Sequence, residues 1–265
     1  MKWSVNEGGL SFGLSCRKWV SLGAKFDIGS PNEYFGDTSI HPAKACSQTK
    51  GVNVMQFIRY ESFRQYLKLY PITSLLIAIN VVMYILMTIY GSSTSLPTLV
   101  HFGAMYKMDA ASAAYLNLPT TPDVWRYVAA VFLHNGPYHL LFNMFNLLVF
   151  APPLERTLGS IRYTLFYLLA GVLGNLASYA LHSDVFFGVG ASGAIYGIYA
   201  AYIFMSFFGA NRLDPSSRQT VVTIVIIGVI YSFVVPNVDG YAHLGGFVAG
   251  FLLMSVLSKR PSLRS

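Results

Sequence analysis

"FFGVGASGAIYGIYAAYIFMSFF", Phe186–Phe208, is the stretch on which the reading of this chain turns. It is apolar enough to sit in lipid, yet near its start a serine, Ser192, stands wedged between small residues and glycines. Composition shows that the rest of the chain is built for the same solvent. The 265 residues are 54% hydrophobic and 11% charged, with mean hydropathy +0.50, whereas a water-soluble domain carries about 25% charged residues. One helical bundle accounts for this length, and nothing suggests a second core. Cys16 and Cys46 both lie in the polar N-terminal stretch, which excludes a disulfide framework or a Cys-based metal site from the membrane part.

Working outward from that stretch, six apolar runs approach the length that crosses about 30 Å of hydrocarbon. They are Ile72–Tyr90, Tyr138–Leu154, Tyr163–Leu181, Val189–Phe208, Thr220–Val235 and Tyr241–Leu257. The "APPL" of Ala151–Leu154 is expected to break or end the second. No signal peptide is expected ahead of the first, which then serves as its own insertion signal. Sixteen of the eighteen Lys and Arg fall before the first run, between the second and third, between the fourth and fifth, or after the sixth. Lys107 and Arg126, in the long first loop, are the exceptions. Positive charge is retained on the cytoplasmic side, so both termini are expected there, in a multi-pass protein of the cell membrane. The net charge of +7 thus reads as topology, and a nucleic-acid partner has no support.

Residues 1–54 show no sustained apolar period and are expected to be a poorly ordered extension, with Met55 as an alternative start that would make them an upstream artefact. Within residues 55–71, Tyr60, Phe63, Leu67 and Tyr70 recur at helical spacing beside Arg59, Arg64 and Lys68. A juxtamembrane helix lying in the lipid interface is the expectation. Residues 72–258 form the six-helix domain and 259–265 a cytoplasmic tail. The apolar first loop, Gly91–Arg126, is expected to lie partly in the outer leaflet beside the first two helices; His101 and Asp109 within it have no evident partners.

With the N-terminus inside, the second, fourth and sixth runs all start at the outer face. Ser192 begins the fourth, "YAHLGG" puts His243 at the start of the sixth, and "HNGPYHLLFNMFN" puts His139 and Asn143 at the start of the second. Polar groups buried in a bilayer are expensive and mark function. A Ser beside Gly is by itself an ordinary packing residue, but here Gly193 and Gly197, and Gly246 and Gly250, are each four apart. If those two small faces meet, Ser192 and His243 come within reach of a shared hydrogen bond. A histidine that takes the hydroxyl proton makes serine a nucleophile. The oxyanion that results needs donors, and the N–H of Ser192 at a helix start, together with His139 and Asn143 on one helix face, would supply them. Gly190 and Gly193 would let a substrate backbone approach closely.

These residues resemble the rhomboid intramembrane serine proteases over about Ser62–Leu257. "GASGAIYG" is similar to their G-x-S-G motif, "AHLGGFVAG" to H-x-x-G-x-x-x-G of the sixth helix and "HLLFNM" to H-x-x-x-N of the second. "VWRYVAAVFLH" resembles the Trp-Arg end of the first loop and "LERTLG" the Glu-Arg close of the second helix. The resemblance implies an all-α six-transmembrane bundle and a Ser192–His243 dyad. It also implies that Asn143 and His139 assist at the oxyanion and that Tyr196 packs on the His243 ring. No cofactor is implied. The partners would be the lipid bilayer and single-pass or polytopic membrane-protein substrates.

Asp239, four residues before His243, invites a Ser-His-Asp triad but reads better as a cap of the sixth helix. A metal held by His134, His139 and His243 lacks both the HExxH pattern and a carboxylate base. Glu155 and Arg156 read as fixing the inner end of the second helix. The alternatives to a protease are a catalytically inactive rhomboid-like scaffold that binds membrane proteins and, less well matched, a small transporter.

Overall fold

Among the described residues six long helices carry the fold, each built on one of the apolar runs. The computed structural model describes residue 57 and residues 61–183, 185–208, 214–235 and 238–258, all within the unit Asn53–Ser265. The N-terminal extension 1–54, most of residues 55–60, the tail 259–265 and both cysteines lie outside the described residues.

α1 (Phe63–Leu69) is opened by Ser62, whose backbone N–H donates to Gln65 Oε1 at 3.0 Å. Pro71 then starts α2 (Pro71–Tyr90), a position where the missing N–H would have had no helical partner anyway. The first loop holds α3 (Leu96–Phe102), β1 (Met105–Lys107), α4 (Ala110–Leu116) and α5 (Arg126–Ala129). After it come α6 (Pro137–Leu158), α7 (Ser160–Leu181), β2 (Phe186–Gly188), α8 (Ser192–Phe208), α9 (Pro215–Val234) and α10 (Gly240–Ser258).

The burial pattern is that of a membrane protein. Leu75, Val82, Ile85 and Ile89 of α2, Leu165 and Leu169 of α7, and Leu252 and Val256 of α10 all point outward. Buried inside are the polar-tipped Tyr163, Tyr167 and Tyr202. In lipid the outer surface gains nothing from being polar, while an interior hydroxyl can find a partner; Tyr202 donates to the Phe150 carbonyl at 2.5 Å. α2, α7 and α10 are each long and apolar enough to cross a membrane, and α8 is a shorter apolar helix.

Two expectations need correcting. Pro152 and Pro153 do not end the second helix; α6 runs on to Leu158. Proline at 152 has no N–H for the Leu148 carbonyl four residues back, and the Tyr66 hydroxyl donates to that carbonyl instead, at 3.2 Å. Glu155 does fix the end of α6, and it does so by tying it to the start of α2. Its carboxylate accepts from the N–H groups of Ile72 and Thr73, both at 2.9 Å, and from Thr73 Oγ1 at 2.7 Å. These are unpaired donors at the start of α2, where a negative charge also meets the helix dipole favourably.

In the juxtamembrane segment the inward face carries Tyr66 and Tyr70, while Phe63 and Leu67 are exposed. Finally, Phe186–Gly188 is a strand, so the helices are joined by one short ladder. β2 pairs antiparallel with β1, with Met105 opposite Gly188 and Lys107 opposite Phe186. The first loop is thereby tied to the segment that leads into Ser192. Its α3 end packs on α2 through Leu99, Ala104, Met87 and Met83. Within it His101 stacks on Tyr90 at 4.6 Å, and Asp109 caps α4 by accepting from Ser112 N at 2.6 Å.

Candidate active site

The chain enters α8 through a sharp turn at Gly190, which has φ +133° and donates its N–H to the Ala130 carbonyl at 2.8 Å. Few residues other than glycine adopt that conformation. Space forbids a side chain as well. A Cβ at Gly190 would stand 2.8 Å from His139 Nε2 and 3.5 Å from Ser192 Oγ, so these two atoms converge on one point of the backbone. Ser192 is the first residue of α8, where N–H groups have no acceptor four residues back.

His139 is held by its other nitrogen, since Nδ1 accepts from Asn135 N at 3.3 Å. A neutral imidazole that accepts at Nδ1 carries its proton on Nε2. The atom facing the Gly190 turn is therefore a donor. Asn143, one turn on and buried, gives one Nδ2 hydrogen to the His139 carbonyl at 2.8 Å and retains a second.

α8 and α10 meet through their glycines. A Cβ at Gly246 would lie 2.6 Å from the Gly193 carbonyl carbon and 2.9 Å from its Cα, and one at Gly250 would lie 2.7 Å from the Gly197 carbonyl carbon. This backbone-on-backbone seam brings His243, three residues before Gly246, alongside the start of α8. The Tyr196 ring stacks on His243, centroids 4.2 Å apart and planes 9° from parallel. Among the described residues the side chain hydrogen-bonded to the His243 ring is Ser232 of α9, at 2.7 Å from Nδ1. Among the described residues no hydrogen bond joins Ser192 to His243; such bonds commonly tighten only when substrate is seated.

The match to known proteins is specific. Residues 121–260 fit the family model described as the Rhomboid domain. The chain belongs to the rhomboid family. It is 33% identical over 208 residues to the putative rhomboid protease YdcA of Bacillus subtilis, covering 78% of this chain and 99% of that protein. Over 185 residues it is 33% identical to the rhomboid protease GluP of the same organism, covering 70% of this chain and 34% of GluP. Over 140 residues it is 40% identical to RHOMBOID-like protein 4 of Arabidopsis thaliana, covering 52% of this chain and 35% of that one.

The other candidates in this rhomboid chain have structural duties. Asp239 is a cap: its carboxylate accepts from Ala242 N at 2.9 Å and from Ser178 Oγ at 2.5 Å, and the His243 ring turns its Nδ1 to Ser232. Arg126 is buried, bonded to the carbonyls of Val100 at 2.6 Å and Ala104 at 3.3 Å, and it holds the first loop together. His134 is fully buried with its ring 5.1 Å from that of His139. Among the described residues no three of His, Cys, Asp and Glu gather as a metal would require.

Two participants escaped the sequence reading. α7 supplies a third small face, with Gly174 against the Ala242 carbonyl and Gly171 against Val131; its "AGVLGNLAS" spacing carried that signal. Ser232 is a small hydroxyl in the otherwise apolar second half of α9, beside Tyr231, and that setting was its signal.

Proposed function

We propose that this protein is an intramembrane serine endopeptidase that cuts transmembrane segments of other membrane proteins, with Ser192 as nucleophile and His243 as base. The observation that carries the reading is the convergence of Ser192 Oγ and the His139 donor on the Gly190 turn, beside a histidine clamped by Tyr196. The protease names of the Bacillus relatives support it.

In the reaction, His243 takes the Ser192 proton as Oγ bonds to the scissile carbonyl carbon. Negative charge collects on the carbonyl oxygen, within reach of the Ser192 N–H, His139 Nε2–H and the second Asn143 hydrogen. Collapse of this adduct breaks the C–N bond, and the imidazolium returns the proton to the leaving amine. Water, deprotonated by the same histidine, then hydrolyses the acyl-enzyme.

The domain is residues 72–258, and α2, α6, α7, α8, α9 and α10 make six spans. In α6 the polar Asn143 and Glu155 are buried and His139 faces the Gly190 turn, so these groups do not bar it from spanning. The positive charges put both termini in the cytoplasm and the site toward the outer leaflet of the cell membrane.

Labelling of the detergent-purified protein by a fluorophosphonate probe tests the reading. Labelling lost in Ser192→Ala is the expected result; absence of labelling in the wild type would favour an inactive scaffold. Asn143→Ala is expected to keep some activity, because the backbone and His139 donors remain, at a loss of about 10²- to 10³-fold in kcat. Wild-type turnover in that variant would remove Asn143 from the site.

Substrate choice follows from helix physics. Every carbonyl of an intact transmembrane helix is hydrogen-bonded within its own chain, so the scissile segment must unwind before Ser192 can reach it. Segments with Gly, Pro or Ser near the outer end unwind most easily. Two model substrates reconstituted with the protease, one carrying Gly-Ala-Ser at that end and one Leu throughout, should be cleaved at clearly different rates. Equal rates would sink the unwinding argument.

A further inference from the structure

Ser232 lies near the end of α9 and is hydrogen-bonded to the Gly228 carbonyl at 2.8 Å, to His243 Nδ1 at 2.7 Å and to the Tyr196 side chain, whose own O–H can donate to it. A serine hydroxyl has a single proton. The Gly228 carbonyl can only accept, so the proton goes there, and Ser232 Oγ is left to accept from His243. Nδ1 must then carry hydrogen, and the lone pair of the neutral ring sits on Nε2. We propose that Ser232 is a positioning residue that holds His243 in the Nδ1–H tautomer, and that this makes the base competent only while α9 is seated against α8 and α10. The inference rests on the reading of Ser192 and His243 as nucleophile and base.

The surroundings favour this role over others. Asp239, the alternative orienting group, has its carboxylate engaged by Ser178 and Ala242 N. Ser232 is itself a poor nucleophile. It stands inside a helix whose N–H groups are used in the helical ladder, so no oxyanion donors surround it. Nor is Ser232 the sole contact of α9 with the site. The Tyr196 hydroxyl fits against Gly228, one turn earlier on α9, where any side chain would collide with it. α9 therefore touches both the His243 ring and the ring stacked on it.

The same helix is lightly held. Among the described residues of α9 only Ser217 and Val221 are buried, both toward its start, whereas Ile226, Ile227, Ile230, Tyr231 and Val234 are exposed. Elements with little buried surface open at low cost. Displacing the Ser232 end of α9 withdraws the hydroxyl and lets the imidazole exchange tautomers, so the base is restored when the helix closes.

The test uses full-length protein labelled with ¹⁵N-histidine, the His243 signals being identified by their loss in His243→Ala. The wild-type ring should be protonated at Nδ1 and bare at Nε2. Ser232→Ala should show mixed tautomers, with kcat lowered about 10- to 10²-fold, the scale of a slightly misplaced catalytic group, and KM little changed. Ser232→Thr, which keeps the hydroxyl, should restore both signals and kcat. The tautomer measurement is repeated in Ser192→Ala, so it stands whether or not Ser192 is the nucleophile. Failure of the dyad reading shows separately, as fluorophosphonate labelling that persists in Ser192→Ala. A wild-type ring protonated at Nε2 overturns the proposal without any variant, and so does a Ser232→Ala protein with unchanged tautomer and kcat.

Discussion

Ser192→Ala and His243→Ala are each expected to lower cleavage of a reconstituted transmembrane substrate by about 10⁴- to 10⁶-fold, the loss seen when one member of a nucleophile–base unit is removed. The two losses should not add, because each residue is useless without the other. Folding should survive both changes. Among the described residues Ser192 makes no side-chain hydrogen bond, and His243 gives up one stacking contact and one bond, to Tyr196 and Ser232. These are worth about 1 kcal/mol apiece. The measurement is cleavage in proteoliposomes alongside thermal unfolding in detergent. Activity within tenfold of wild type in either variant would take that residue out of the chemistry.

The largest expected effect on stability is at the glycine seam. Gly250→Ala places a Cβ against the Cα and carbonyl of Gly197, and Gly246→Ala does the same against Gly193. The obstacle in both cases is backbone, which cannot rotate aside as a side chain would. Either variant should lose about 3 kcal/mol or more, the upper end of what overpacking usually costs, read as a lowered unfolding temperature. Gly246→Ala should also lose cleavage activity, because it separates α8 from α10 next to Ser192 and His243. Gly240→Ala is the control: its Cβ would meet Ser232 only at an ordinary 3.8 Å, and it should unfold within about 0.5 kcal/mol of wild type. Equal stability of Gly250→Ala and Gly240→Ala would refute the seam.

What the sequence made legible was whatever repeats with helical period. Gly193, Gly197, Gly246 and Gly250 announce a close helix crossing by spacing alone, and the polar groups at helix starts follow from counting runs and charges. Features fixed by a distant partner stayed hidden. The rule that proline ends a helix is local, and α6 evades it because Tyr66, 82 residues from Leu148, supplies the missing donor. A three-residue strand such as Phe186–Gly188 is too short to show alternation and exists only because Met105–Lys107 lies beside it. Ser232 was passed over for a different reason. It sits at the end of α9, so a search of helix starts finds His139, Ser192 and His243 and misses it.

The bond between Glu155 and the start of α2 also has a bearing on biosynthesis. Thr73 and Glu155 are 82 residues apart, so a ribosome adding about 5–20 residues per second delivers the carboxylate roughly 4 to 16 s after the N–H groups that need it. During that interval α2 waits in the bilayer with its first turn satisfied by lipid headgroups or water. Nascent chains arrested before residue 155 should therefore hold α2 loosely, sliding in depth, and those arrested well beyond it should hold it fixed. Cysteine accessibility at the start of α2, followed along a series of arrested chains, would register the moment at which the clasp closes.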